Sequence, residues 1–185
     1  MESVLSGNYE TAVFGSGCFW CTEAIFEGLN GVVSVESGYT GGNVPNPTYE
    51  AVCSGKTGHA EACRIVYDPK VISYDELLEI FWKTHNPTTL NQQGNDVGTQ
   101  YRSVVFYQNE DQKKKAEYYK EELNKSGAWD SPVVTEIAAF NKFYKAEVYH
   151  QHYFERNPYQ GYCSFVIAPK VEKFRKVFKD KLKSA

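Results

Sequence analysis

Glu10-Thr11-Ala12-Val13-Phe14-Gly15-Ser16-Gly17-Cys18-Phe19-Trp20-Cys21-Thr22-Glu23-Ala24-Ile25-Phe26-Glu27-Gly28 is the stretch from which the architecture follows. Apolar residues concentrated in Glu10–Phe14 predict a strand, and Gly15-Ser16-Gly17 predicts a tight turn. A helix is expected from about Cys18 to Glu27, closed by Gly28. Working outward, Val32–Ser37 alternates as a strand does and ends in the turn-rich Gly38-Tyr39-Thr40-Gly41-Gly42. Asn43–Gly58 holds two prolines and two glycines, so it reads as loop, with one helical turn at Tyr49–Cys53. Ala60–Tyr67 is the next strand. Ser73 followed three residues later by Glu76 is a capping box, and Leu77, Leu78, Ile80, Phe81 and Trp82 supply the buried face of the helix it opens. A polar stretch, Asn86–Gln100, leads to the strand Tyr101–Gln108.

That order, β-α-β-β-α-β, is the split βαβ pattern of ferredoxin-like folds. Beyond it, Asn109 caps a charged helix, Glu110–Lys125, stopped by Gly127. A strand over Val133–Phe140, a short helix over Lys145–Glu155, a loop through Asn157–Ser164 and a last helix over Val171–Lys181 are expected to follow. The fold class expected is α+β: a two-layer ferredoxin-like sandwich with a mixed, largely antiparallel sheet, extra helices and a loop-rich C-terminal tail. One catalytic domain is expected over 1–185, with its core in about 10–165 and a tail and helix in 157–185.

The composition narrows the function. The 185 residues carry 20 Lys plus Arg against 23 Asp plus Glu, a formal charge of -3, which argues against a nucleic-acid surface. No run approaches the roughly 18–20 apolar residues of a membrane span. Met1–Glu10 lacks a basic region followed by an apolar core. A soluble, cytoplasmic, monomeric protein is the expectation. Five cysteines, at 18, 21, 53, 63 and 163, form an odd set that does not suggest a disulfide scaffold. They point to thiol chemistry, metal ligation or burial as small apolar residues.

Cys18 is the most informative of the five. At the first turn of a helix, free backbone N–H groups and the positive end of the dipole favour a thiolate. Phe19 and Trp20 directly after it are either an apolar wall beside that sulfur or ordinary core. Cys18-x-x-Cys21 also matches a redox dithiol, with a thioredoxin-like oxidoreductase as the alternative and Ser131-Pro132-Val133 as its proline-led strand. A metal- or partner-binding module would use Cys18, Cys21, His150 and His152, but one CxxC is a weak zinc signal, so no metal is expected.

Gly17-Cys18-Phe19-Trp20 resembles the active-site signature of peptide-methionine (S)-S-oxide reductases. In the same order come Ser37–Gly42, Asn46-Pro47-Thr48-Tyr49, Thr57–Glu61, Asp96–Ser103, Tyr149-His150-Gln151 and Gly161-Tyr162-Cys163. The likeness spans roughly residues 10–165. It implies reduction of methionine sulfoxide, free or in oxidised proteins, with Cys18 attacking sulfur and Glu61 as the acid that protonates the oxygen. It further implies that Tyr49 and Tyr101 hydrogen-bond that oxygen, that Phe19 and Trp20 enclose the methyl group, and that Asp96 and His150 lie at the pocket. From the residues alone, Glu61 reads as a solvated surface acid and His150 as a core histidine. Cys163 stands at the family's resolving position, on a tail whose composition suits a mobile segment, with Cys21 as the alternative. Cys53 and Cys63 match no required position, and Ser164–Ala185 offers no third thiol. Thioredoxin is the implied reductant. No nucleotide or flavin fingerprint is present, so no cofactor is expected.

Overall fold

The protein is described here from a computed structural model covering residues 8–183. Strand β1 (Glu10–Ser16) is buried over five successive residues, Ala12–Ser16, because it is covered on both faces. It pairs antiparallel with β3 (Ala60–Tyr67) on one side and β6 (Ser103–Tyr107) on the other. β2 (Val32–Thr40) pairs antiparallel with β3, and β8 (Phe143–Lys145) adds antiparallel to β2. β7 (Glu136–Ala139) is the one parallel addition, beside β6. The six-stranded order is β7-β6-β1-β3-β2-β8, and β4 (Gln92–Gln93) with β5 (Asp96–Val97) makes a separate short hairpin.

The period-2 alternation of strands divides the core. Phe14, Cys63, Ile65 and Tyr67 face the larger cluster, with α1 (Phe19–Phe26) and α3 (Tyr74–Lys83) packed on it. Val13, Ala62, Val104 and Phe106 form a smaller cluster on the opposite face, under Phe140 and Phe143. Ser73 and Glu76 close both bonds of the expected capping box. Asn109 caps α4 (Glu110–Ser126), and Gly127 ends it in the left-handed region at φ 72°. Tyr49–Cys53 is the short helix α2, capped by Thr48.

Several expectations are corrected. The strand expected over Val133–Phe140 is paired only over Glu136–Ala139, because Val133 N–H is tied to Asn124 and Val134 N–H to Pro87 O. Lys145–Glu155 is not one helix. Lys145 belongs to β8 opposite Gly38, and Ala146 N–H donates to Ser37 O at 2.9 Å, so the sheet edge captures the segment. Only Val148–His150 (a 3-10 turn) and α5 (Tyr153–Arg156) are helical. The tail is also more ordered than expected: Cys163–Ile167 is a π-helical turn running directly into α6 (Ala168–Val177). Pro169 lacks the N–H that a regular ladder needs, and the widened turn lies just ahead of it. Val171–Lys181 was expected as a single helix; beyond Val177 the chain tightens to a 3-10 turn at Lys179–Lys181.

Candidate active site

β3 sets the floor. Glu61 shares the face of Cys63 and Ile65 by alternation, and the register places it opposite Tyr39 of β2. It therefore points toward α1 instead of solvent and is 2% exposed. Its Oε1 accepts the Phe19 N–H at 3.1 Å, one of the free donors at the start of α1. Burial, with the charge of Asp96 adding to it, raises the carboxyl to about 8, against the pull of that N–H. At neutral pH Glu61 holds its proton.

Cys18 is the N-cap of α1, with extended φ/ψ of −61° and 125°. Gly17, at φ 99°, brings the chain into it, and a Cβ there would lie 2.8 Å from Gln93, so the turn requires glycine. The helix terminus was expected to favour a thiolate; the structure reverses that. Burial pushes the Cys18 thiol well above its ordinary value, and the Glu61 charge pushes it further, while the Trp20 N–H pulls back only in part. Its resting form is the thiol.

These two groups share a cavity of about 140 Å³ with Phe19, Trp20, Tyr49 and Asp96, closed by Tyr101 and Tyr162. The phenols of Tyr49 and Tyr101 are raised by burial above all, with Glu61 among the lesser causes, so they remain donors. Tyr162 donates to Asp96 Oδ2 at 2.6 Å. Trp20 stacks on Tyr153 at 3.8 Å, and its Nε1–H donates to His150 Nδ1 at 3.0 Å. That bond fixes the His150 proton on Nε2, which is buried without a partner. His150 was expected to line the pocket; it lies behind it, fully buried and 4.5 Å from the Tyr49 ring.

Tyr162, Glu147 and Tyr39 were not expected at the site. Glu147 accepts from Tyr39 OH at 2.9 Å and from Tyr49 N–H at 3.0 Å, and so anchors α2. Tyr162 stands in a quoted block, but no local pattern marks Glu147. Cys163 is buried in the main core, one residue from Tyr162, instead of on a mobile segment. Cys21 lies on α1, its N–H donating to Cys18 O at 3.1 Å. All five cysteines are free thiols; Cys53, exposed, is beside the Tyr49 phenol, and Cys63 Sγ donates to Phe19 O.

The proline-led strand of the dithiol alternative is elsewhere: Pro132 is exposed and the next residue is bonded to α4. Among the described residues, the group able to converge on a cation is Glu23, Glu27 and His152, not the Cys18, Cys21, His150 and His152 set. Within that group, His152 Nδ1 and Glu27 Oε2 are already 2.9 Å apart.

A thiol, a protonated carboxyl and phenols in an aromatic box are what reduction of a sulfoxide needs, and comparison with known proteins agrees. The sequence model described as peptide methionine sulfoxide reductase matches residues 10–182. The chain belongs to that family. It is 55% identical over 174 residues to the peptide methionine sulfoxide reductase MsrA of Saccharolobus solfataricus, covering 94% of this chain and 97% of that one. It is similar to the crystal structure of reduced Mxr1 from Saccharomyces cerevisiae, with 37% identity, TM-score 0.78, and 84% and 89% of the two chains covered. It is also similar to Mxr1 in its complex with Trx2, with 28% identity, TM-score 0.56, and 78% and 84% covered. Among the described residues no helix is long and apolar enough to cross a membrane.

Proposed function

We propose that this chain reduces methionine sulfoxide, free or in oxidised proteins, and that thioredoxin returns it to the thiol state. The observation that carries this is Glu61, kept protonated by burial within the cavity that Cys18 enters. Cys18 attacks the sulfoxide sulfur as Glu61 hands its proton to the oxygen, held by Tyr49 and Tyr101. The oxygen passes to Cys18 as sulfenic acid, methionine leaves as a thioether, and the Cys18 proton resets Glu61. The cysteine sulfur loses the two electrons that methionine gains. Phe19 and Trp20 enclose the methyl group, with His150 orienting Trp20 and Asp96 bordering the cavity.

Cys163 then displaces water from the sulfenic acid to form a disulfide, with Cys21 as the alternative resolving thiol. A thioredoxin dithiol reduces that bond by exchange. The strand order β6-β1-β3-β2 with α1 and α3 on one face supports a ferredoxin-like core; one catalytic domain acting as a cytoplasmic monomer is proposed with it.

The test is single-turnover reduction of N-acetyl-methionine sulfoxide followed by mass mapping. Wild type is expected to yield one methionine and a Cys18–Cys163 disulfide, and Cys18→Ser neither. Turnover by Cys18→Ser would refute the reading, and a Cys18–Cys21 link would reassign the resolving role.

A further inference from the structure

A second cavity, of about 250 Å³, adjoins the first at the β4–β5 hairpin. Gln93 and Asp96 are cross-strand partners there, so their side chains project side by side from one face. Asp96 borders the Cys18 cavity, and Gln93 borders the second one while also covering Gly17, the residue before Cys18. The second cavity carries the cations Lys83, Lys170 and Lys173 against apolar walls from Trp129, Phe174 and Phe178, and among the described residues no carboxylate lines it.

Among the described residues, only Lys83 of the three is in an ion pair, with Glu79 at 2.9 Å. Lys170, half-buried, stands beside the Cys21 thiol of α1, which keeps its ammonium close to that helix. Lys173 is exposed on the next turn of α6, three residues on, and faces the same cavity. A site with excess positive charge and a flat apolar wall suits a carboxylate carried on a short methylene stem.

We propose that this cavity is a subsite for an acidic side chain flanking the methionine sulfoxide of a polypeptide substrate. The inference rests on the reading that Cys18 reduces such a sulfoxide. An extended peptide advances roughly 3.3 Å per residue, so an acid within about three positions of the sulfoxide is in range of a neighbouring cavity. Charge pairs at this degree of exposure are each modest and salt-sensitive, so two of them give a preference of about three- to tenfold, not an absolute requirement. A contact made equally before and during reaction shows in KM more than in kcat.

The experiment uses the full chain with dithiothreitol as reductant and seven-residue peptides with a central methionine sulfoxide. Glu, Gln or Lys is scanned through the other six positions. At one or two positions Glu is expected to exceed Lys by about three- to tenfold in kcat/KM at low salt, mainly through KM. The contrast is expected to shrink at high salt and to disappear or invert in Lys170→Glu/Lys173→Glu. Lys173→Glu alone, at an exposed position, gives a partial inversion even if the double variant folds poorly. Equal rates for all peptides, or a preference untouched by Lys173→Glu, overturn the subsite. So does a charge-reversal effect confined to thioredoxin-driven turnover, which assigns the surface to the reductant. If wild type reduces neither peptides nor N-acetyl-methionine sulfoxide, the fault lies in the catalytic reading and not in the subsite.

Discussion

A carboxyl in the middle of a sheet serves sulfoxide chemistry only while it holds its proton, and Glu61 does so because burial raises it to about 8. Glu61→Gln keeps the oxygen that accepts the Phe19 N–H but removes the transferable proton. Sulfenic acid formation at Cys18 is expected to slow by about 10²–10⁴-fold in single turnover. The same change has a stability signature. Between its ordinary value of 4.5 and about 8, wild type binds more protons folded than unfolded at this site. Its stability therefore falls as pH rises through that window, and the Gln variant lacks this contribution while keeping that of Glu23, which burial raises to about 7 in both proteins. Thermal melts of the pair are expected to diverge with rising pH in favour of Glu61→Gln; parallel melts would show that the carboxyl is not buried as described. Cys18 reports the same electrostatics from the other side. Since the Glu61 charge raises the thiol, the alkylation rate of Cys18 against pH is expected to inflect at lower pH in Glu61→Gln.

Elements differ in how far their residues declare them. β1, β3, α3 and α4 were legible because each carries its own periodicity, cap or stop: the capping box of Ser73 and Glu76, and Asn109 and Gly127 around α4. The β4–β5 hairpin has two-residue strands, too short to show a period, and β8 exists because β2 offers an edge. The site divides in the same way. Cys18, Phe19 and Trp20 are legible locally from the glycine turn and helix start, whereas Glu61 looks like a surface acid until register turns it inward. The helix dipole suggested a thiolate at Cys18, and burial outweighed it. The C-terminal turn was least legible: its Gly and Pro content suggested mobility, yet Cys163 is fully buried. With Cys163 as the proposed resolving thiol, that burial requires the Cys163–Ile167 turn to open before a disulfide can close. Tyr162 ties the turn to β5 through its 2.6 Å bond to Asp96. A bond to a charged acceptor contributes about 1.5–3 kcal/mol, so Tyr162→Phe is expected to speed disulfide closure after sulfenic acid formation by about tenfold or more. Stopped-flow detection of the sulfenic acid decay checks this, and an unchanged decay rate would mean that the turn opens without breaking that contact.

At the scale of the whole molecule, the edge of the sheet opposite β7 positions the catalytic pocket. β8 pairs with β2 around Gly38, and the chain leaving β8 is clamped to Ser37 twice over. Ala146 N–H and Gln151 Nε2 both donate to Ser37 O at 2.9 Å, and Ser37 N–H donates to Gln151 Oε1. Between those clamps lie Glu147, which holds α2 and Tyr49, and His150, which holds Trp20. Gly38 is the point on which this depends, since a Cβ there would meet the Phe143 ring at 2.3 Å and Tyr144 O at 2.6 Å. Tyr144 O cannot yield without moving β8, because that contact is backbone. Gly38→Ala is expected to destabilise the fold by about 1–3 kcal/mol, the usual scale of overpacking. It is also expected to raise KM for N-acetyl-methionine sulfoxide, because Tyr49 and Trp20 lose their anchors while Cys18 and Glu61, held by α1 and β3, keep theirs. Gly28→Ala is the control: its Cβ would touch only Ile25 O at an ordinary 3.7 Å, and it lies away from this edge. Urea midpoints and steady-state kinetics of the two variants together decide the matter. A Gly38→Ala protein that is less stable but has an unaltered KM would show that β8 supports the sheet without shaping the pocket.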